Sequence, residues 1–253
     1  MAPDAAYTRY ASLAGKVVVI TGGASGIGAE LVHAFATQAS RVHFLDIRRE
    51  TGEALAASLP GATFHVCDLT DIAALRSAIA EIEGAEGAVD VLVNNAGNDD
   101  RHDMADVEPD YWRGRLALNL DHQFFASQAV AEKMKAQGSG SILTMSSTSW
   151  IKGRPGMVAY TTAKAAIVGL TRTLSRELGG HGIRVNCIVP GAILTERQAA
   201  LWQTPESEAE ILAAQALKVR LDATHVARMA LFLASEDAGG CTGAQFLVDA
   251  GLT

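Results

Sequence analysis

No stretch of the chain concentrates lysine and arginine: 21 basic residues stand against 28 acidic ones, a formal charge of −7. Neutralising a run of phosphates takes a basic patch, so nucleic acid is not an expected partner. No apolar run approaches the roughly 20 residues that cross a bilayer, and residues 1–10 carry Asp4 but no apolar segment of the secretory kind. A cytoplasmic protein without a membrane partner is expected. Cysteine is scarce: Cys67, Cys187 and Cys241 are odd in number and far apart, with no Cys-x-x-Cys pair and no histidine at ligand spacing. That pattern points away from a disulfide framework and from a metal site, and toward buried, reduced thiols. Charged residues, at 19%, fall below the usual proportion of about 25%. With 49% hydrophobic residues, disorder is excluded, and much surface is expected to be buried inside the fold or between subunits.

What is present is a regular alternation. A short apolar run at 16–20 is broken by Thr21-Gly22-Gly23-Ala24-Ser25-Gly26-Ile27-Gly28, and a helical pattern then runs to about Gln38. Further strand-like runs occur at 42–46, 63–68, 89–94, 141–146, 185–189 and 245–249, most of them separated by helical stretches of a dozen or more residues. Seven strands alternating with helices predict one α/β domain over residues 1–253, a doubly wound, Rossmann-like parallel sheet with helices on both faces. The runs of Val, Ile and Leu without polar alternation predict strands buried on both sides. Residues 1–13 read as an N-terminal extension. Residues 191–220 exceed a simple strand-to-helix connection, with Thr204-Pro205 as an N-cap and first helical residue, and predict a substrate lid.

Gly22, Gly26 and Gly28 sit between the first strand and the first helix, where backbone must approach a pyrophosphate and helix must pack on strand. Taken alone, the Gly-x-x-x-Gly-x-Gly spacing is also compatible with a structural turn. Asp46 ends the second strand about 20 residues later, at the place where a carboxylate accepts from the adenosine ribose and repels a 2′-phosphate. This favours NAD over NADP, although Arg48 and Arg49 could pair with such a phosphate. Asp68-Leu69 and Asn94-Asn95-Ala96-Gly97 lie at further strand ends, within reach of adenine and ribose or acting as plain turns.

Tyr160 and Lys164 stand four apart in a predicted helix over 158–178, so both side chains share a face. An ammonium beside a phenol stabilises the phenolate and brings its pKa toward the working range, which makes the pair a proton-transfer device. Ser147 ends the fifth strand thirteen residues before the tyrosine, Asn119 lies in the helical stretch after the fourth strand, and Pro190-Gly191 followed by Thr195 follows the sixth.

In order and spacing these motifs resemble the short-chain dehydrogenase/reductases, from about residue 13 to the end of the chain. The resemblance implies that Tyr160 is the general base and acid, that Ser147 polarises the reacting oxygen, that Lys164 binds the nicotinamide ribose and tunes Tyr160, and that Asn119 supports a proton-relay water. It also implies cofactor contacts from Gly22, Ser25, Gly26, Ile27 and Gly28, from Asp46, Asp68 and Leu69, and from Asn95, Ala96 and Gly97. Pro190, Gly191, Ile193 and Thr195 complete that set around the carboxamide, and a homotetramer is implied.

The runs Asn98-Asp99-Asp100-Arg101-His102, Ser149-Trp150 and Arg197 to Arg220, with Trp202-Gln203, resemble the bacterial aldose 1-dehydrogenases of the D-xylose type. A polyol needs several donors and acceptors and one apolar face. Asn98, Asp99, Ser149, Gln203 and Arg197, with Trp150 or Trp202, supply that set; each could also be packing or a solvated loop. Ser146 departs from the xylose pattern, so another pentose, a 6-deoxyhexose or a sugar-acid alcohol suits the pocket equally. The expected function is oxidation of an aldose C1 hydroxyl to an aldonolactone with NAD. The alternatives are a secondary-alcohol dehydrogenase of a sugar acid, whose anion would need Arg101, Arg154 or Arg197, and a cofactor-sensing protein without turnover. Asp46 disfavours an NADPH-dependent acyl-carrier reductase.

Overall fold

The computed structural model describes residues 7–202 and 204–253. Seven parallel strands form one sheet in the order β3-β2-β1-β4-β5-β6-β7: β1 Val17–Thr21, β2 Arg41–Asp46, β3 Ala62–Val66, β4 Val91–Asn94, β5 Gly140–Met145, β6 Ile183–Pro190 and β7 Gln245–Val248. Chain order reverses between β1 and β4, and ligands of such sheets lie beyond the strand ends at that switch point.

The period of two along a strand sorts the core into layers. Val18 and Ile20, with Val42 and Phe44, face α1 (Gly26–Thr37) and α10 (Ala223–Ala234). Val17 and Val19, with Leu45 and Leu92, face α3 (Ile72–Glu86), α5 (His122–Gln137) and α7 (Val158–Leu178). β1 is buried on both sides throughout, as the unbroken apolar runs predict. The two edges depart from that expectation, because a strand with one neighbour is covered less: Val66 on β3 and Leu247 on β7 are each 46% exposed. β3 also ends at Val66 rather than at Asp68, since Asp68 and Thr70 turn the chain.

The helix over 158–178 forms with the predicted limits. Asn119 lies not in a continuous α-helix but in a π-helical turn, Ala117–Asp121, between α4 (Pro109–Leu116) and α5, closed by the His122 N–H on the Ala117 carbonyl. Between β2 and β3 runs α2 (Arg49–Ser58), and after β5 comes the short α6 (Thr148–Ile151). The 191–220 segment holds α8 (Glu196–Trp202) and α9 (Pro205–Ala214), with Thr204 and Ser207 capping α9 reciprocally behind Pro205. Gln203 lies outside the described residues, as do residues 1–6 of the N-terminal extension. Cys67 and Cys187 are buried as expected; Cys241 is only partly so. Burial pushes the Cys67 thiol up to about 11, which leaves it protonated.

Candidate active site

The turn after β1 has the shape a dinucleotide phosphate needs. Gly22 (φ +67°) and Gly26 (φ +54°) adopt left-handed backbone, and a Cβ on Gly28 would lie 1.8 Å from the Gly22 carbonyl oxygen. Ser25 begins α1 without a side-chain cap hydrogen bond, so the first-turn N–H groups are open to an anion. Asp46 stands beside this turn, nearly buried, accepting from the Ala24 N–H and the Arg48 N–H, each at 3.0 Å. A cleft of about 300 Å³ opens along the turn, bounded in part by Ser25, Gly26, Arg48 and Thr195. The loop after β6 closes over it: the Thr195 side chain is 3.5 Å from where a Gly26 Cβ would sit. Ile193 is buried against the core, and its N–H donates to the Gly191 carbonyl at 3.1 Å. Pro190 ends β6 opposite Val248. Two predicted contacts act mainly in support. Asn95 donates its amide to the Thr21 and Gly22 carbonyls at 3.0 Å each and so locks the turn to β4. Asp68 is exposed and accepts from the Thr70 N–H and hydroxyl, next to buried Leu69 and, across the sheet, buried Ala96.

The residues expected to transfer the proton meet beyond β4 and β5. Lys164 Nζ donates to the Met145 carbonyl at 2.9 Å and lies 5.5 Å from the centre of the Tyr160 ring. A Cβ on Gly97 would be 3.1 Å from both Lys164 Nζ and Asn119 Oδ1, so a side chain here would crowd both. Asn119 Oδ1 accepts the Asn98 N–H at 2.8 Å, and Nδ2 donates to the Arg115 carbonyl at 2.9 Å; the π-helical turn therefore fastens the loop beyond Gly97. Ser147 caps α6, its Oγ accepting the Ser149 N–H at 3.1 Å. The electrostatics correct a simple expectation. Burial pushes the Tyr160 phenol up to about 12, opposed by the Ser147 hydroxyl and Arg101 and reinforced by Asp99. Burial likewise brings Lys164 down to about 8, because removing either group from water disfavours its charged form. In the protein alone, desolvation dominates the phenol's shift, and the opposing positive charge comes from Arg101.

A family profile described as enoyl-(acyl carrier protein) reductase matches residues 22–253. The D-xylose 1-dehydrogenase of Caulobacter vibrioides is 52% identical over 246 residues, covering 96% of this chain and 97% of that protein. A probable galactose dehydrogenase of Rhizobium meliloti is 43% identical, covering 97% and 98%. A solved putative short-chain alcohol dehydrogenase from Sinorhizobium meliloti superposes with a TM-score of 0.88 at 28% identity, covering 94% of this chain and 96% of that one. The chain belongs to the short-chain dehydrogenase/reductase family. It is an oxidoreductase, and dehydrogenases of this family use nicotinamide cofactors. The left-handed glycines, the open helix start and the Asp46 carboxylate fit such a dinucleotide.

The six substrate candidates among the described residues of this short-chain dehydrogenase/reductase divide by what already holds them. Asn98 Oδ1 accepts from the Asp100 N–H and from Arg197. The Ser147 hydroxyl donates to Ser149 Oγ at 3.1 Å. Trp150 donates its indole N–H to Ser146 Oγ at 3.1 Å, and Ser146 donates to the Lys164 carbonyl at 2.7 Å. Two guanidiniums lie over the Trp202 ring, Arg101 at 4.9 Å and Arg197 at 5.6 Å from its centre. Arg197 also reaches Asp100 at 2.7 Å, while Arg115 holds the other Asp100 oxygen at 2.9 Å. Asp99 accepts from Gln198 Nε2 at 3.0 Å. Sequence reasoning missed Ser146 as a tie between α6 and α7, together with Gln198, Arg115 and His122. His122 is fully buried beside Lys164, which with burial brings it down to about 3 and keeps it neutral. Of these, only the serine pair Ser146-Ser147 carried a signal in the sequence; the others depend on partners 15 to 99 positions away.

Proposed function

We propose that this protein oxidises the C1 hydroxyl of an aldose, a pentose or a 6-deoxyhexose, to an aldonolactone, using NAD. The observation that carries the reading is the convergence of Ser147, Tyr160 and Lys164 beneath a polar rim, in a chain 52% identical to a D-xylose 1-dehydrogenase. Gly22 to Gly28 and the start of α1 would hold the pyrophosphate, Asp46 the adenosine ribose, Lys164 the nicotinamide ribose and Thr195 the carboxamide. When bound, the oxidised nicotinamide supplies the hydride acceptor and a positive charge near the phenol. Ser147 and Tyr160 hold the C1 hydroxyl, and Tyr160 as phenolate takes its proton. The phenol of the unliganded site is held up near 12, so charge brought beside it and the Lys164 ammonium must together lower that barrier. Asn119 anchors the loop that carries Asn98 and supports the outward proton relay. Asp46 favours NAD, its carboxylate being fixed by the Ala24 and Arg48 N–H groups at the end of β2, where it would repel a 2′-phosphate on the adenosine ribose.

Initial rates of NAD and NADP reduction across pentoses, hexoses, 6-deoxy sugars and 2-keto-3-deoxy sugar acids test this reading, with lactone detected in the product. One aldose with a strong NAD-linked rate is expected; silence with every aldose overturns it. A second reading, oxidation of a secondary alcohol on a sugar acid, draws on one feature: burial and the nearby Arg154 charge hold the Arg101 guanidinium below its usual range, and no ion-pair partner of Arg101 is found among the described residues. Residues 191–220 act as the lid over the substrate. Assembly as a cytoplasmic homotetramer completes the proposal. No helix among the described residues is long and apolar enough to cross a membrane.

A further inference from the structure

Asp99 differs from the other rim candidates in where its charge is felt. It follows Gly97 and Asn98, the first packed against Lys164 Nζ and Asn119 Oδ1, the second fixed to Asn119 by its N–H. Its side chain is 19% exposed, and its charge acts on Tyr160, Lys164 and Arg101 alike. On Tyr160 that action is adverse, since a negative neighbour holds the phenol up. The carboxylate therefore does not help the base. Two lid side chains hold it in place: Gln198 Nε2 donates to Oδ2 at 3.0 Å, and Arg197 Nε lies 3.7 Å from Oδ1. A carboxylate offers about four acceptor positions. The Gln198 bond uses one, and the Arg197 contact is longer than a hydrogen bond, which leaves Oδ1 free to accept from a ligand.

We infer that Asp99 is the residue that selects a polyhydroxylated substrate. Its carboxylate accepts a ring hydroxyl of the sugar, and Arg197 and Gln198 position it, so that closing α8 over the site and recognising the substrate are one event. Arg197 reaches Asn98 and Asp100 with its other nitrogen, so the lid grips the whole 98–100 loop and aims Asp99 through it. The inference rests on the sugar reading and names the contact by which a sugar is told from a simple alcohol. A neutral or apolar replacement at 99 removes a charge-assisted hydrogen bond, a stronger interaction than a neutral one.

The test compares kcat/KM for the best aldose with kcat/KM for tetrahydropyran-2-ol, a cyclic hemiacetal with the same reacting carbon and no ring hydroxyl beyond the reacting one. The native enzyme, Asp99→Asn and Gln198→Ala are measured, with NADH binding followed by fluorescence. The native enzyme is expected to prefer the aldose. Asp99→Asn is expected to lower that preference tenfold or more, mainly through KM, with NADH affinity retained. Its kcat should also reach its plateau at lower pH, because the phenol loses a negative neighbour. Gln198→Ala is expected to lower the preference less, again through KM. A preference that survives Asp99→Asn overturns the role of Asp99 while the sugar reading stands. A native enzyme that does not prefer any aldose to tetrahydropyran-2-ol overturns the sugar reading and this inference together.

Discussion

The two halves of the site are built by different means. Around the phosphate turn, shape comes from backbone: two left-handed glycines, a Gly28 with no room for a Cβ, and N–H groups donating to Asp46. Around the substrate rim, shape comes from side chains reaching across the fold, such as Arg197 to Asp100 over 97 positions and Gln198 to Asp99 over 99. Backbone constraints are local and steric, so they are stiff and insensitive to salt. Ion pairs between half-exposed groups are weak singly, about 0.2 to 1 kcal/mol, and are screened. The cofactor half should therefore behave as a fixed floor and the rim as an adjustable wall.

Gly28→Ala attacks the floor and carries the largest effect. A methyl 1.8 Å from the Gly22 carbonyl forces helix and turn apart, at a cost of about 3 kcal/mol or more. NADH binding should be lost or the protein should fail to fold, as read by fluorescence titration and circular dichroism. If Gly28→Ala binds NADH normally, the floor is not rigid. Arg197→Ala attacks the wall. It removes the ties to Asp99 and Asp100 and one guanidinium from Trp202, so KM for substrate should rise about three- to tenfold. KM of the native enzyme should climb with added salt, and that of Arg197→Ala should climb less. Equal salt dependence in both would erase the contrast between the halves.

Much of the floor was legible because each requirement falls on one residue type at a short spacing. Left-handed backbone selects Gly22 and Gly26, close helix packing selects Gly28, and the one-turn separation of Tyr160 and Lys164 follows from helical periodicity alone. The wall was legible only as a polar neighbourhood. Asn98, Asp99, Ser149, Trp150, Arg197 and Trp202 stood as equals in the sequence. Which of them faces a ligand depends on the docking of α8 onto the 98–101 loop, and periodicity does not encode a contact between elements 97 positions apart. The π-helical turn at Asn119 was hidden for a related reason: its i to i+5 bond leaves no mark on the spacing of apolar residues.

Ser146 joins the two halves, and its loss should be milder. Ser146→Ala leaves the Trp150 N–H without its acceptor and the Lys164 carbonyl without a donor. A stability loss of about 1 to 2 kcal/mol is expected, seen as a fall in Tm of about 2 to 6 °C for a chain of this size, with kcat lowered more than NADH affinity. A pH-dependent effect concerns Lys164. Its folded pKa near 8 lies below the ordinary 10.5, so between those values the unfolded chain binds more protons and stability gains as pH rises. Lys164→Met should lack this gain when Tm is compared across pH 8 to 10. A parallel pH dependence in both proteins would place the lysine in contact with solvent.

The central claim is that Tyr160 takes the substrate proton. Steady-state oxidation of the preferred aldose by Tyr160→Phe, with NADH binding measured in the same preparation, tests it most directly. The account predicts a fall in kcat of at least a hundredfold, since a positioned acid or base contributes about 10² to 10⁴, with NADH binding retained. A variant that binds NADH and keeps most of the parent rate would contradict it, because phenylalanine can neither take nor return a proton.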